Sequence, residues 1–284
     1  MHLLSEELDL LPTDEEVGFY QKHGYYKTKI IFTDEELDAA VEGSERYYRG
    51  ERDAELPVAV SGWKPEHGNI LRKNDYASLQ NRELGALVHK PILGAIAARL
   101  AGAPIRLWHD QLLYKPSSDP KRQANVGWHT DKGYWKTCSS ENMLTAWIPF
   151  HDCDEEMGTI MMVDSSIDWP DNSEGLDFFS NDLVGLEKRF NTGGKPVVKV
   201  PVNLLKGQVS FHHCLTIHGS GPNRKGQPRR SIAVHMQDQG NHYQKNYYKD
   251  GSLARHDNDA LCRKIEGMPD YSDPRICPVL WPTV

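Results

Sequence analysis

The sequence predicts an α+β protein on three observations. Helix-start signals and apolar residues at helical spacing crowd into residues 1–104, short alternating segments fill 105–240, and no Gly/Ser-rich linker divides the two. A single domain over 1–284 follows. In the helical part, Thr13 stands three residues before Glu16 and Thr33 three before Glu36. That is the spacing of a capping box, and each predicts a helix start, the second leading into Leu37, Ala40 and Val41. Between Arg82 and Leu100 the residues Leu84, Leu87, Val88, Ile92, Ile96 and Leu100 mark one helical face, Gly102 marks its stop, and Pro91 predicts a kink or a split. Such a face predicts packing against a sheet.

Strands are predicted at 106–114, 143–150, 159–163, 197–202, 208–211 and 231–237, each bounded by Gly, Pro, Asp or Asn. Residues 165–196, carrying Pro170, Asn172, Gly175, Asn181, Gly193 and Gly194, interrupt this series as a partly helical insertion and read as a lid. The tail, 241–284, is polar with Tyr243, Tyr247 and Tyr248, and is expected to pack on the core.

Composition removes several classes of function. With 38% apolar and 26% charged residues the chain is ordinary globular material. Its longest apolar runs, such as 92–98 and 146–150, fall far short of the roughly 18 residues of a membrane span, so none is expected. The start is acidic (Glu6, Glu7, Asp9, Asp14) where a secretory signal needs a basic then apolar stretch, which predicts a cytoplasmic protein. Thirty-three bases against forty acids give a net charge of −7, the wrong sign for gripping nucleic acid or anionic lipid. Five cysteines without a C-x-x-C pair predict packed, reduced thiols rather than a disulfide framework or a thiolate zinc site.

Two stretches carry chemistry. Among 13 histidines, His129-Thr-Asp131 has a carboxylate two places on. On an extended strand both side chains share a face and can approach one metal ion. Chance would supply roughly two such triplets in a chain of this composition, so the context has to decide. The context lies in the run from Gly207 to Arg224 and on to His235. Here a strand is expected to end at His218, turn through Gly and Pro, and return as a strand opening on Arg229-Arg230. Two histidines and a carboxylate on one face of an octahedral ion leave three positions open, the arrangement of non-haem Fe(II) oxygenases. An arginine fork nearby can take the far carboxylate of a dicarboxylic cosubstrate.

These residues resemble the phytanoyl-CoA dioxygenase-like branch of the Fe(II)/2-oxoglutarate-dependent oxygenases. The resemblance covers most of the chain: 17–25 and 32–37 at the start, Trp128-His129-Thr130-Asp131 as the metal motif, and 217–223 with Pro228-Arg229-Arg230 as the return strands. It implies a double-stranded β-helix (jelly-roll, cupin-like) core with flanking N-terminal helices. It further implies Fe(II) on His129, Asp131 and His218, with 2-oxoglutarate and O₂ as cosubstrates. Because the family's cosubstrate arginine follows the distal histidine by eleven positions, the resemblance selects Arg229; Arg230 points to the opposite face by strand alternation. Gln111, Trp147 and Arg72 fall where the family keeps cosubstrate neighbours, and Thr145 shares the inward face with Trp147. His212 and His213 would put the following turn and arginine out of register, so His218 is preferred over them.

Lys132, Tyr134 and Trp135, with Lys136, follow the metal motif directly and are candidates for substrate contact, as is His235 if Arg229 faces inward. His109, His151 and His242 lack such partners and read as structural or exposed. The turn at Val163-Asp-Ser-Ser166 departs from the family's Pro-Gly-Ser-His, which points to a rebuilt substrate entry. The implied reaction couples oxidative decarboxylation of 2-oxoglutarate to hydrogen abstraction from an unactivated C–H bond of a small, polar molecule. Asp131 favours hydroxylation, desaturation or dealkylation over halogenation, because related halogenases carry a small residue there. A cupin using its ion as a Lewis acid, or a non-catalytic binding barrel, are the rivals; the Arg229 spacing opposes the first and the intact four-residue set the second. A G-x-S-x-G elbow and a G-x-G-x-x-G loop after a strand are both missing, which excludes serine hydrolase and dinucleotide folds.

Overall fold

A computed structural model describes residues 2–117 and 124–282. Helices α1 (Ser5–Leu8), α2 (Asp14–His23) and α3 (Asp34–Tyr48) open the chain. Both expected capping boxes form, Thr13 accepting from the Glu16 N–H and Thr33 from the Glu36 N–H while each glutamate answers its cap's own N–H. The 82–101 stretch splits at Pro91 into α4 (Arg82–Val88) and α5 (Pro91–Ala101), with proline on the first turn and Gly102 left-handed at the end. Taken together that stretch has the length and hydropathy of a membrane span. Its apolar residues, Leu84, Leu87, Ile92, Leu93 and Ile96 among them, are instead buried in the main core.

Strands follow the chain as β1 (Tyr25–Lys27), β2 (Arg72–Asp75), β3 (Ile105–Lys115), β4 (Val126–His129), β5 (Met143–Pro149), β6 (Met161–Val163), β7 (Lys199–Pro201), β8 (Ser210–His213), β9 (His218–Ser220) and β10 (Arg229–Asp238). Short elements α6 (Leu183–Glu187), α7 (Asn258–Leu261), β11 (Lys264–Ile265), β12 (Met268–Pro269) and β13 (Val279–Trp281) complete it. One antiparallel sheet runs β1-β8-β5-β10-β3-β13, with β2 also on β3; a second runs β4-β9-β6-β7. The run expected as a single strand into His218 is divided: β8 joins the large sheet, residues 214–217 turn, and His218 opens β9 in the small one. The two halves of the predicted hairpin, β9 and β10, therefore lie in different sheets.

Strand alternation sorts the large sheet into two faces. On β10, Ile232, Val234 and Met236 join Leu112, Leu144, Ile148 and Phe211 in the core beneath the helices, while Arg229, Ala233 and His235 line a cavity on the other face. Asp110, on the helix face of β3, is fully buried and accepts from the Ser78 hydroxyl at 2.6 Å and the Ser78 N–H at 3.2 Å. Burial raises its carboxyl to about 7 against those bonds. A carboxyl raised above its unfolded value of about 3.9 contributes its stability below that pH and loses it as pH rises through the folded value. Asp110→Asn should therefore gain on wild type between about pH 4 and 7, by several degrees in melting temperature. A constant difference in melting temperature between the two proteins across that interval would contradict this.

Candidate metal centre and its cavity

β4 ends on His129, Thr130 stays extended, and Asp131 begins a 3-10 turn, so the two side chains of the motif share a face. β9 is antiparallel to β4 with His218 directly opposite His129. One ligand atom from each of His129, Asp131 and His218 lies within 4.8 Å of the others, and all three residues are buried. The Nε2 atoms sit 3.8 Å (His129) and 3.7 Å (His218) from Asp131 Oδ1. Each Nδ1–H is committed to a carbonyl, His129 to Gly127 at 2.8 Å and His218 to Thr216 at 3.0 Å, which leaves both Nε2 lone pairs facing the centre.

Protonation suits a cation. Burial lowers both imidazoles. Burial alone would raise Asp131, but His218, His235 and His212 around it prevail and hold the carboxyl well below the usual range. With its imidazoles deprotonated, as metal binding requires, this set of N, O and N donors on one side of a cavity fits a divalent ion such as Fe(II) with open positions.

Thr145 is placed by β5 against this set and also lines the inner cavity beside it. Its hydroxyl donates to Asp131 Oδ2 at 2.6 Å and accepts from His235 Nδ1 at 2.7 Å. Loss of such an orienting bond typically costs 10–100-fold in metal affinity. Thr145→Val is expected to weaken Fe(II) binding by about tenfold or more in a competition titration; unchanged affinity would show that Asp131 is oriented without it.

A narrow inner chamber runs from the ligands toward Arg229 and is lined by Gln111, Thr145, Trp147, His212, Ser220 and Arg229 among others. Arg229 is 2% exposed, its guanidinium 5.2 Å from the Trp147 ring centre, hydrogen-bonded to the Gly158 carbonyl, and 3.4 Å from Ser220 Oγ. Among the described residues its Nε has no partner. Lys115, across from it in the β3–β10 register and fully buried, gives its ammonium to Ser220 Oγ and the Gly221 carbonyl, each at 2.6 Å. Lys115 was not legible as a site residue. Arg230 faces outward onto Glu45, as alternation requires.

A wider outer cavity of about 720 Å³ shares His129, Asp131, Gln111 and Phe178 with the inner one. Tyr134 and Trp135 line it, and the Trp135 ring meets His235 at 4.9 Å. Two expectations are corrected here. Arg72 lies outside both chambers, its guanidinium 4.1 Å from the ring centres of both Trp63 and Tyr114. On β2 the inward residues are Lys73 and Asp75, so the expected base is one position out of register, which in a strand means the opposite face. Lys132 turns away as well, its ammonium held by the Cys138 and Ser140 carbonyls at 2.9 and 2.8 Å. Lys136 pairs with Glu174. His151 and His242 are structural, whereas His109 lines the outer cavity.

The insertion supplies Phe178 and Phe179 to this cavity, and the Phe178 N–H donates to Tyr134 Oη at 2.9 Å. Gly127 donates to the Phe178 carbonyl at 2.9 Å, and a Cβ at Gly127 would meet the Asp177 carbonyl, so only glycine lets the insertion lie this close to β4. Much of the remaining wall is the tail: Tyr243, Tyr248, residues 253–257 and 267–269. Nothing in the tail's composition pointed to this role, because its strands are two or three residues long and carry no periodicity.

Comparison with known proteins agrees with this geometry. The family model described as phytanoyl-CoA dioxygenase (PhyH) matches residues 20–231. The peroxisomal phytanoyl-CoA dioxygenase of Bos taurus is 22% identical over 245 residues, covering 81% of this chain and 69% of its own length. An ectoine dioxygenase of Bordetella parapertussis is 24% identical, over 79% of this chain and 74% of its own. Among solved structures, the epimerase SnoN in complex with Fe3+, alpha ketoglutarate and nogalamycin RO shares the fold at a TM-score of 0.65, with 23% identity and coverage of 81% and 85%. With a family model spanning three quarters of its length and the His-Asp-His set in place, the chain belongs to the phytanoyl-CoA dioxygenase (PhyH) family of Fe(II)- and 2-oxoglutarate-dependent oxygenases.

Proposed function

We propose that the protein oxidises an unactivated C–H bond of a small polar molecule, with His129, Asp131 and His218 holding Fe(II) and Arg229 anchoring 2-oxoglutarate. The two sheets are then the halves of a double-stranded β-helix, with the helices packed outside it. The observation that carries the reading is the continuity of one buried path, from the three ligand atoms through the inner chamber to a guanidinium. When bound, the iron and cosubstrate supply the oxidising power; the chain supplies binding and orientation. Trp147 and Gln111 wall the cosubstrate arm, and Thr145 fixes Asp131. A cosubstrate carboxylate at Arg229 takes over the bond now made to the Gly158 carbonyl. Tyr134 and Trp135 stand on the substrate side, and His235, on the wall of the inner chamber, meets the Trp135 ring.

Presence of the arginine end distinguishes this reading from a barrel using its ion as a Lewis acid, which has no need of a buried guanidinium one chamber away. The test is a screen of a metabolite library for succinate release from 2-oxoglutarate under air with added Fe(II). Stimulation by one compound class identifies the substrate. Turnover of library members without 2-oxoglutarate would instead support the Lewis-acid alternative.

A further inference from the structure

We propose that His109 is a substrate-binding residue, and that the substrate is a compact cyclic molecule bearing a hydroxyl or carbonyl and no phosphates. The inference rests on the oxygenase reading and extends it to the outer cavity. His109 is 3% exposed, yet among the described residues neither ring nitrogen has a hydrogen-bond partner. Buried polar atoms are normally paired, and an orphaned pair on a cavity wall is a vacancy that a ligand can fill. Its position supports this. Along β3 the inward residues run Lys115, Leu113, Gln111 and His109, from the Arg229 end of the inner chamber to the mouth of the outer one. The β3–β10 register slips between His235 and Met236, just past the place where His109 faces His235, and such irregularities re-aim side chains beside active sites.

The surroundings define what His109 can meet. Its ring lies 4.4 Å from that of His235 and 4.9 Å from that of His256, and its Nδ1 is 4.0 Å from Asp75 Oδ1. Burial keeps His109 well below the usual imidazole range, hence neutral, with one donor and one acceptor, the complement of a hydroxyl. The Trp135 ring lies 6.0 Å from that of His109, and the cavity they share is also lined by Tyr134, Phe178, Phe179, Tyr243 and Tyr248, aromatic groups that suit a ring. The cavity volume of about 720 Å³ is that of a drug-sized ligand. Its lining carries three cations, Lys73, Arg255 and Lys264, against four carboxylates, Asp75, Asp131, Asp257 and Asp259, with Lys73 already paired to Asp75 at 2.6 Å. A CoA thioester, with its several phosphates, would find no net positive wall.

The experiment uses the full chain loaded anaerobically with Fe(II) and 2-oxoglutarate, and follows the visible band of the chelated oxoacid as probes are added. The probes are nogalamycin as a hydroxylated polycycle, a set of smaller cyclic alcohols and ketones, ectoine, and palmitoyl-CoA. A cyclic alcohol or ketone is expected to shift the band, and palmitoyl-CoA is expected to leave it unmoved. In His109→Phe the 2-oxoglutarate band should form as in wild type, which reports an intact fold and centre, while the apparent Kd for that probe rises about tenfold or more. His109→Asn, which keeps a donor and an acceptor, should recover most of the loss. A normal band with palmitoyl-CoA as the best probe, with no ring compound acting, or with probe affinity unchanged in His109→Phe, overturns this inference alone. A wild-type protein that forms no band overturns the oxygenase reading and this one with it.

Discussion

Asp131→Ala and His129→Ala should each abolish the weak visible band that Fe(II) and 2-oxoglutarate form together under anaerobic conditions, and with it all succinate release. The argument is geometric and electrostatic. Asp131 is the single anionic member of the ligand set, central to both Nε2 atoms, and it is fixed by the Thr145 hydroxyl. Without it, two neutral imidazoles 4.1 Å apart between ring centres remain, a pair too weakly binding to hold a chelate complex at a defined orientation. Loss of His129 removes one of the two nitrogen donors and leaves the carboxylate facing a void. Neither loss should unfold the protein. Asp131→Ala also removes the acceptor of the Thr145 hydroxyl, which should lower the melting temperature of the metal-free protein by a few degrees without preventing folding. The discriminating measurement is thus the band together with the melting temperature of the metal-free variants. Melting within a few degrees of wild type, with no band, is the expected pair of results; a band that survives in both variants would remove the metal assignment.

How far the sequence reached depends on whether the signal was local. Capping boxes at Thr13 and Thr33 and the break at Pro91 are decided within four residues, and all three formed as expected. The long strands β3, β5 and β10 were visible because seven or more residues give alternation room to show. Three-residue strands gave less room: β6 and β7 fall inside the expected segments 159–163 and 197–202, whereas β1 and β13 gave no signal and β9 was merged with β8. Register is the sharpest case. Choosing Arg72 over Lys73 is an error of one position, but on β2 it exchanges the cavity for a stack of Trp63 and Tyr114. His109 was invisible for a related reason. Its importance comes from neighbours far away in the chain, His235 and His256, and from bonds it does not make. The metal motif was legible because its two members are adjacent in sequence, whereas the tail's share of the cavity depends entirely on tertiary placement.

Arg229→Ala should raise the apparent Kd for 2-oxoglutarate by about tenfold or more, since a charge-assisted hydrogen bond is worth roughly 1.5–3 kcal/mol. Two buried cations, Arg229 and Lys115, face each other across β10 and β3, and among the described residues neither forms an ion pair with a carboxylate. An uncompensated buried charge is expensive, so this end of the chamber is held in readiness for an anion. The two cations differ in what they can offer. Lys115 is spent on Ser220 and Gly221, and burial together with Arg229 drives its ammonium well below the usual range. Arg229 keeps its charge and, among the described residues, an unpartnered Nε. On the function proposed above, the guanidinium is the anchor and Lys115 a positioning residue that braces the Ser220–Gly221 turn beneath it. Arg229→Lys should fall between wild type and alanine, because an ammonium cannot reproduce the two-point fork. Lys115→Met should weaken 2-oxoglutarate by less than Arg229→Ala and leave Fe(II) affinity alone. Titrating 2-oxoglutarate into the Fe(II)-loaded proteins and reading the visible band separates these cases. Equal affinity in wild type and Arg229→Ala would place the anchor elsewhere, with Lys115 then the remaining buried cation able to serve.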